Sequence, residues 1–152
     1  FRSCESLTSV SIGNGVTSIG DFAFYYCTDL TSINIPSGVT RIESSAFEGC
    51  SILTSITIPS RVTTIGYIAF RGCSSLTSIT IPSGVTSIGE SAFENCTSLL
   101  SITVLAETPP ILNNSVFYNT NNCPIYVPAA SVEAYKTANR WSNYADRIQA
   151  IQ

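Results

Sequence analysis

Polar and apolar positions alternate in short bursts along the chain, and the bursts recur. Ile79 and Ile81 alternate with Ser78 and Thr80, the period-two signature of a strand with one buried face. Pro82-Ser83-Gly84 then breaks the strand and turns the chain. Val85 and Ile88 follow three apart, with Thr86 and Ser87 between them, and Gly89 ends that segment. Ala92-Phe93 and Cys96 complete the coil as a short turn or one-turn helix. The pattern points Leu76, Ile79, Ile81, Val85, Ile88, Ala92, Phe93 and Cys96 inward.

The same order returns at a fixed step. Leu7, Leu30, Leu53, Leu76 and Leu99 stand 23 residues apart, as do Cys4, Cys27, Cys50, Cys73 and Cys96. Phe1, Phe24, Phe47, Phe70 and Phe93 keep the same step, each of the last four preceded by Ala. A fixed period of this length specifies a solenoid, in which no single coil can bury its apolar face without neighbours. Residues 8–12, 31–35, 54–58, 77–81 and 101–105 are predicted to be adjacent strands of one parallel sheet, with Ile33, Ile56 and Ile79 stacked inside. The sixth unit is degenerate: Leu105 replaces the proline, Pro109-Pro110 intrudes, and Val116-Phe117 sits one residue late.

The unit reads roughly C-x-x-L-x-x-I-x-I-P-x-x-V-x-x-I-G-x-x-A-F, and Cys50-Ser51-Ile52-Leu53 and Cys73-Ser74-Ser75-Leu76 match it directly. It resembles the BspA-like, or treponemal-type, leucine-rich repeat from residue 1 to about 120. Glu43 departs from it where Gly20, Gly66 and Gly89 stand, and Arg61 where Gly15, Gly38 and Gly84 stand. The expected fold is a leucine-rich-repeat solenoid. It is a β-dominated right-handed superhelix of 23-residue coils with one parallel sheet, short turns or 3-10 or one-turn helices, and a small α/β C-terminal cap. Residues 1–123 are read as about five and a half repeats and 124–152 as the cap. In the cap, Ile125–Pro128 is a last strand, Ser131–Lys136 a short helix with Ser131 at its N-cap, and Trp141, Tyr144, Ile148 and Ile151 fold over the open core. This V-P-A-x-S-V-E-A-Y-K…W segment resembles the one that follows such repeats in bacterial surface proteins. Phe1-Arg2-Ser3-Cys4 reads as the tail of a truncated unit, so the native protein is expected to continue N-terminally.

Composition narrows the functions. Histidine is absent, which removes the commonest general base, the Ser-His-Asp and Cys-His pairings and every imidazole metal site. A net charge of -3 without any basic block argues against nucleic-acid binding. No apolar run is long enough for a membrane span. Serine and threonine make up about a quarter of the chain, but they alternate with Ile and Val instead of clustering as in a stalk.

Six cysteines invite a disulfide framework. The first five, however, hold one position of successive coils, where in-line Cβ vectors oppose disulfide torsion, so buried reduced thiols acting as apolar fillers are expected. Cys123 lies outside that ladder, with Thr120 in the expected place, and Cys96–Cys123 is the one pairing to check. No C-x-x-C motif suggests a metal. The acids are scattered, and Glu48 and Glu94 with Arg71 between them read as a solvated charge column. Asn95-Cys96-Thr97 and Asn113-Asn114-Ser115 match the glycosylation sequon and are read as idle.

Two surfaces remain as binding candidates. The outward strand face carries Ser32, Ser55 and Ser78 in one column and Thr57 and Thr80 in the next, either a soluble sheet surface or a hydroxyl carpet for a partner. The columns that vary between coils put Phe22, Tyr25, Tyr26, Tyr67 and Ile68 at one end as exposed or half-exposed bulk, with Arg71 beside them. The leading expectation is a non-enzymatic binding or adhesion module. The resemblance implies an extracellular or cell-surface location, no cofactor, and attachment to host or extracellular-matrix proteins or to other cells, with a glycan ligand possible and a monomer expected. The alternatives are a spacer that displays another domain, and a carbohydrate-binding parallel β-helix. The A-F-x-x-C turn and the single alternating strand per unit argue against the second.

Overall fold

Each unit closes into one coil, and consecutive coils stack at the step read from the sequence. The computed structural model describes residues 1–152. In chain order it contains β1 (Ser9–Ser11), β2 (Ser18–Ile19), β3 (Ser32–Asn34), β4 (Arg41–Ile42), β5 (Thr64–Ile65), β6 (Ser78–Ile81), β7 (Ser87–Ile88), β8 (Ser101–Val104), β9 (Ile111–Leu112), β10 (Ile125–Val127), α1 (Val132–Thr137) and β11 (Ile148–Ala150). Every strand pair is parallel, and Ile79 faces Ile102 as Ile42 faces Ile65. The residues expected inside are there: Leu76, Ile79, Ile81, Val85, Ile88, Ala92, Phe93 and Cys96 are all buried, as are Ile33 and Ile56. Phe1, Phe24, Phe47, Phe70, Phe93 and Phe117 stack as a column of nearly parallel rings 5.2–5.8 Å apart.

Two details differ from the expected single sheet. A second row of two-residue strands, β2-β4-β5-β7-β9, runs the length of the solenoid beside the first. Its strands are too short to show alternation, yet β2, β4, β5 and β7 each lay one isoleucine inside and β9 lays Leu112, and each pairs with its neighbours in the row. The coil therefore has two strands, and strand number does not separate it from a β-helix. Within residues 54–58, moreover, only the Thr54 carbonyl is bonded to a neighbouring coil and no strand forms, so the first row splits into β1-β3 and β6-β8-β10-β11. Ile56 and Ile58 stay buried while Thr54, Ser55 and Thr57 face solvent, where water can satisfy the free backbone groups.

The Ala-Phe segment is a turn and not a helix. Its alternate amides all donate to the following coil: Phe22 to Ser44, Phe24 to Ala46 and Tyr26 to Glu48, repeated at Ser45, Phe47 and Gly49. Aiming them the same way takes two left-handed residues per turn. Gly49, Gly72 and Asn95 suit that conformation, whereas Ser45, Ser91, Phe22, Tyr26 and Ile68 adopt it at a cost of about 1–2 kcal/mol each.

The ladder of thiols has a bonding reason. Cys50, Cys73 and Cys96 each donate S–H to the phenylalanine carbonyl of the preceding coil, at 3.1–3.2 Å. All six cysteines are free, so Cys96 and Cys123 do not pair. Cys4, in the first coil described, is exposed. Cys123 takes the leucine slot: its N–H donates to Thr120 as that of Leu99 does to Cys96.

After Cys123 the chain crosses the end of the core. In inner coils the carbonyls of Thr86 and Ile88 accept amides from the next coil. Their counterparts in the last coil, Pro110 and Leu112, accept Trp141 Nε1–H (2.8 Å) and Arg140 Nη1–H (3.1 Å) instead. Tyr135 O–H donates to Ala106 (2.7 Å), Arg147 Nε–H to Cys123 (2.8 Å), and the Tyr144 hydroxyl accepts from the Phe117 amide (3.4 Å). Trp141, Tyr135 and Ile148 are buried, but Ile151 is 38% exposed, because β11 ends before it. Ser131 makes no side-chain cap; a 3-10 turn over Ala129–Ser131 leads into α1 and satisfies the entry.

Candidate functional site

The serine and threonine bias is explained first by structure. Thr31 and Thr77 on the first row, and Thr40, Thr63 and Thr86 on the second, donate their hydroxyls to the carbonyl of the aligned threonine one coil earlier, at 3.1–3.3 Å. Ser32, Ser55, Ser78, Thr57 and Thr80 are exposed between these ladders. The hydroxyl face is open, but it is divided at the third coil, where no strand forms, and its serine and threonine columns give way to exposed Leu100 and then Tyr126 toward the C-terminal end.

The turn face is different. Phe22 and Tyr25 meet edge to face at 5.5 Å, and Tyr25 and Tyr26 tilt together at 4.6 Å. The Arg2 guanidinium lies 5.0 Å from the Phe22 ring centre and 5.1 Å from that of Tyr25, a cation-π contact worth about 0.5–1 kcal/mol at an exposed site. Tyr26 lies against the next coil because Gly49 has no side chain there: a Cβ on Gly49 would come within 2.8 Å of the ring. Tyr67 stands out from the third coil, 52% exposed, and Phe22 and Tyr26 are 39% and 45% exposed. The turn of Ser44 and Ser45 separates the two aromatic groups, held by Phe22 N–H to Ser44 O and Ser45 N–H to Tyr67 O.

Two expectations about this face need correction. Ile68 is buried, at 9% exposure, though it lies outside the main apolar core. The charge column is not simply solvated. Glu48 is buried and sits 3.8 Å from Arg71, which offsets the cost of burying its carboxylate.

A further concavity was not foreseen. Between β8 and β9 the chain bulges outward, leaving a groove of about 570 Å³ lined by Leu105, Glu107, Pro109, Pro110, Ile111 and Val85 among others. Leu105 and Ile111 are 42% and 69% exposed on its rim. The signal was the degenerate sixth unit, whose lost proline and added Pro109-Pro110 mark where the coil departs from its neighbours.

No three Cys, Asp or Glu side chains converge on a point. Burial pushes the Cys50 and Cys96 thiols up to about 12, and Cys27, Cys73 and Cys123 also rise, so the interior sulfurs are protonated and unreactive near neutral pH.

Solved structures resemble this chain at both fold and sequence level. A leucine-rich-repeat protein of T. pallidum is 30% identical with a TM-score of 0.74, the match covering 84% of this chain and 58% of that one. A leucine-rich cell surface protein of Faecalibacterium prausnitzii is 32% identical with a TM-score of 0.72, covering 91% and 34%. A leucine-rich-repeat protein of Bacteroides ovatus is 32% identical with a TM-score of 0.62, covering 84% and 41%. The chain thus spans between about a third and three-fifths of the length of these proteins. No curated protein matches it. Six copies of the BspA-type leucine-rich repeat match residues 1–124, and the chain belongs to that family.

Proposed function

We propose that this chain is a non-enzymatic, protein-binding module of a secreted or cell-surface protein, with residues 1–123 as the recognition solenoid and 124–152 as its C-terminal cap. The partner is a host or extracellular-matrix protein or the surface of another cell, met without a cofactor. One observation carries the reading: the turn face holds Phe22, Tyr26 and Tyr67 half-exposed, although the aligned positions of other coils do the same structural work with Ser45, Gly49 and Glu90. Apolar surface that the fold does not require is what anchors interfaces. The cell-surface relative from F. prausnitzii supports the location.

The test is binding to immobilised matrix proteins and to a glycan array, with circular dichroism to verify folding. Tyr26→Ala and Tyr67→Ala are each expected to weaken protein binding by about 2 kcal/mol or more, roughly thirtyfold, while Ser55→Lys and Ser78→Lys leave it unchanged. Loss with the lysine changes alone moves the site to the hydroxyl face. Glycan binding alone replaces the protein partner with a sugar. No binding by the parent at high micromolar concentration refutes the proposal and leaves this segment as a spacer.

A further inference from the structure

The first complete coil departs from the others at its turn. Where three later coils have Ser37-Gly38, Ser60-Arg61 and Ser83-Gly84, this one has Asn14-Gly15, preceded by Gly13 instead of proline. Asn14 is the one asparagine in the chain followed by glycine. The turn is closed by Val16 N–H donating to Gly13 O at 3.1 Å, so its two central residues are Asn14 and Gly15, and both are exposed. The Gly15 amide donates to no backbone carbonyl, and the Asn14 carboxamide makes no side-chain hydrogen bond, whereas those of Asn95, Asn113 and Asn119 are engaged. A Cβ at Gly13 or Gly15 would meet nothing within 4 Å, so nothing crowds either side of the carboxamide.

From this geometry we infer that Asn14 is a site of spontaneous deamidation. The Gly15 backbone nitrogen, losing its proton to solvent base, attacks the Asn14 side-chain carbonyl carbon. The new C–N bond closes a five-membered imide as the carboxamide nitrogen departs as ammonia, taking up a proton. Water then adds to either imide carbonyl and reopens the ring to aspartate or isoaspartate. The balance is carboxamide plus water giving carboxylate plus ammonium, with no oxidant or reductant. Glycine matters because it presents an unhindered nitrogen and reaches the backbone angles that closure needs. The aligned serines carry no carbonyl and cannot follow this route.

The product changes the coil it sits in. A neutral side chain becomes a carboxylate on a protein already at -3. Isoaspartate also adds one backbone atom inside the Gly13–Val16 turn, whose carbonyls at Asn14 and Val16 lie 3.4–3.5 Å from the position of a Gly38 Cβ in the next coil. Wear at this point therefore acts first on this turn and on its contact with the Gly38 turn of the next coil.

Peptide mapping of the intact folded protein after incubation at mildly alkaline pH tests this, reading the exchange of NH2 for OH at every asparagine. Conversion is expected at Asn14 at least about tenfold faster than at Asn34, Asn114 or Asn143, with isoaspartate the larger product, and Gly15→Ala is expected to slow it at least about tenfold. That variant should fold normally, since its Cβ enters open space. Equal rates at Asn14 and the other asparagines, or an unchanged rate in Gly15→Ala, overturns the inference. So does conversion only after the protein is unfolded in urea, which would show that the folded turn protects the site.

Discussion

Raising the pH should unfold this protein through its own core, because the buried thiols must ionise to be exposed. Cys50 and Cys96 stand at about 12 when folded against 9.0 in the open chain, with burial as the leading cause. The folded state therefore holds these protons after the unfolded state has released them, and the stabilisation present below about pH 9 is lost as pH climbs toward 12. Each thiol removes about 1.4 kcal/mol by pH 10 and about 2.7 by pH 11, so the pair removes about 3 and then about 5. Against a typical total of about 5–15 kcal/mol, this brings the unfolding midpoint in urea down steeply over one or two pH units. The neighbouring thiols and Tyr135, also pushed up by burial, act in the same direction. The discriminating variants are Cys50→Ser and Cys96→Ser, because a hydroxyl can still donate to the Phe24 and Phe70 carbonyls but does not ionise in this range. Each should be less stable at neutral pH yet lose about 1.4 kcal/mol less per pH unit above pH 9. Urea titrations followed by circular dichroism at several pH values give the slopes. Identical slopes in the parent and both variants would refute a protonated, buried thiol ladder.

Ending the chain after Cys123 removes the side-chain partners of Ala106, Pro110, Leu112 and Phe117 and bares the edge of β8, so size-exclusion chromatography should show aggregation; a monomer with the parent melting temperature would show that 124–152 is a separate appendage. Gly49→Ala should cost about 2 kcal/mol or more, combining a left-handed alanine with a Cβ 2.8 Å from the Tyr26 ring, and Tyr26→Ala should recover part of that loss in a double-mutant cycle. Tyr67→Ala should change stability by no more than about 0.5 kcal/mol, since the ring is half in solvent; a loss several times larger in thermal melts would make it a fold element and remove it from the binding surface.

The repeat was legible because stacking demands the same residue at the same place. Phe24, Phe47, Phe70 and Phe93 touch one another, so a ring in one coil dictates a ring in the next, and the period appears in the sequence. The short second strand row was not legible, because two extended residues are too few to show alternation. The stretch 54–58, where no strand forms, left no mark either: its side chains follow the rule of their neighbours, and the departure lies in the backbone alone. One missed element did have a signal. Ile102, Ile125 and Ile148 continue the step of 23 residues, and the last of them begins β11. Local reading of residues 131–151 as helix and end cover hid it. The variable column of Phe22 and Ile68 offers either exposed bulk or wedges between coils, and the sequence alone does not choose: Phe22 is exposed in the first coil and Ile68 is buried in the third.

This division between columns bears on where recognition can reside. Coil-to-coil hydrogen bonds in all three rows run mainly through the backbone, and so place little demand on the side chains that leave the solenoid outward. The column after each phenylalanine holds Arg2, Tyr25, Glu48, Arg71, Glu94 and Tyr118, a mixture of charges and aromatic rings. Nothing in the stacking requires that order. The column acts on itself at two places: the Arg2 guanidinium lies over the Tyr25 ring, and Arg71 sits 3.8 Å from Glu48, between the aromatic turn of the first coil and the later ones. On the proposed reading, a partner lying across several coils would meet rings and an arginine in a fixed sequence about 5 Å apart, the spacing set by strand pairing. Specificity would then come from the order of residues along the solenoid, and the partner would have to be long enough to read more than one coil.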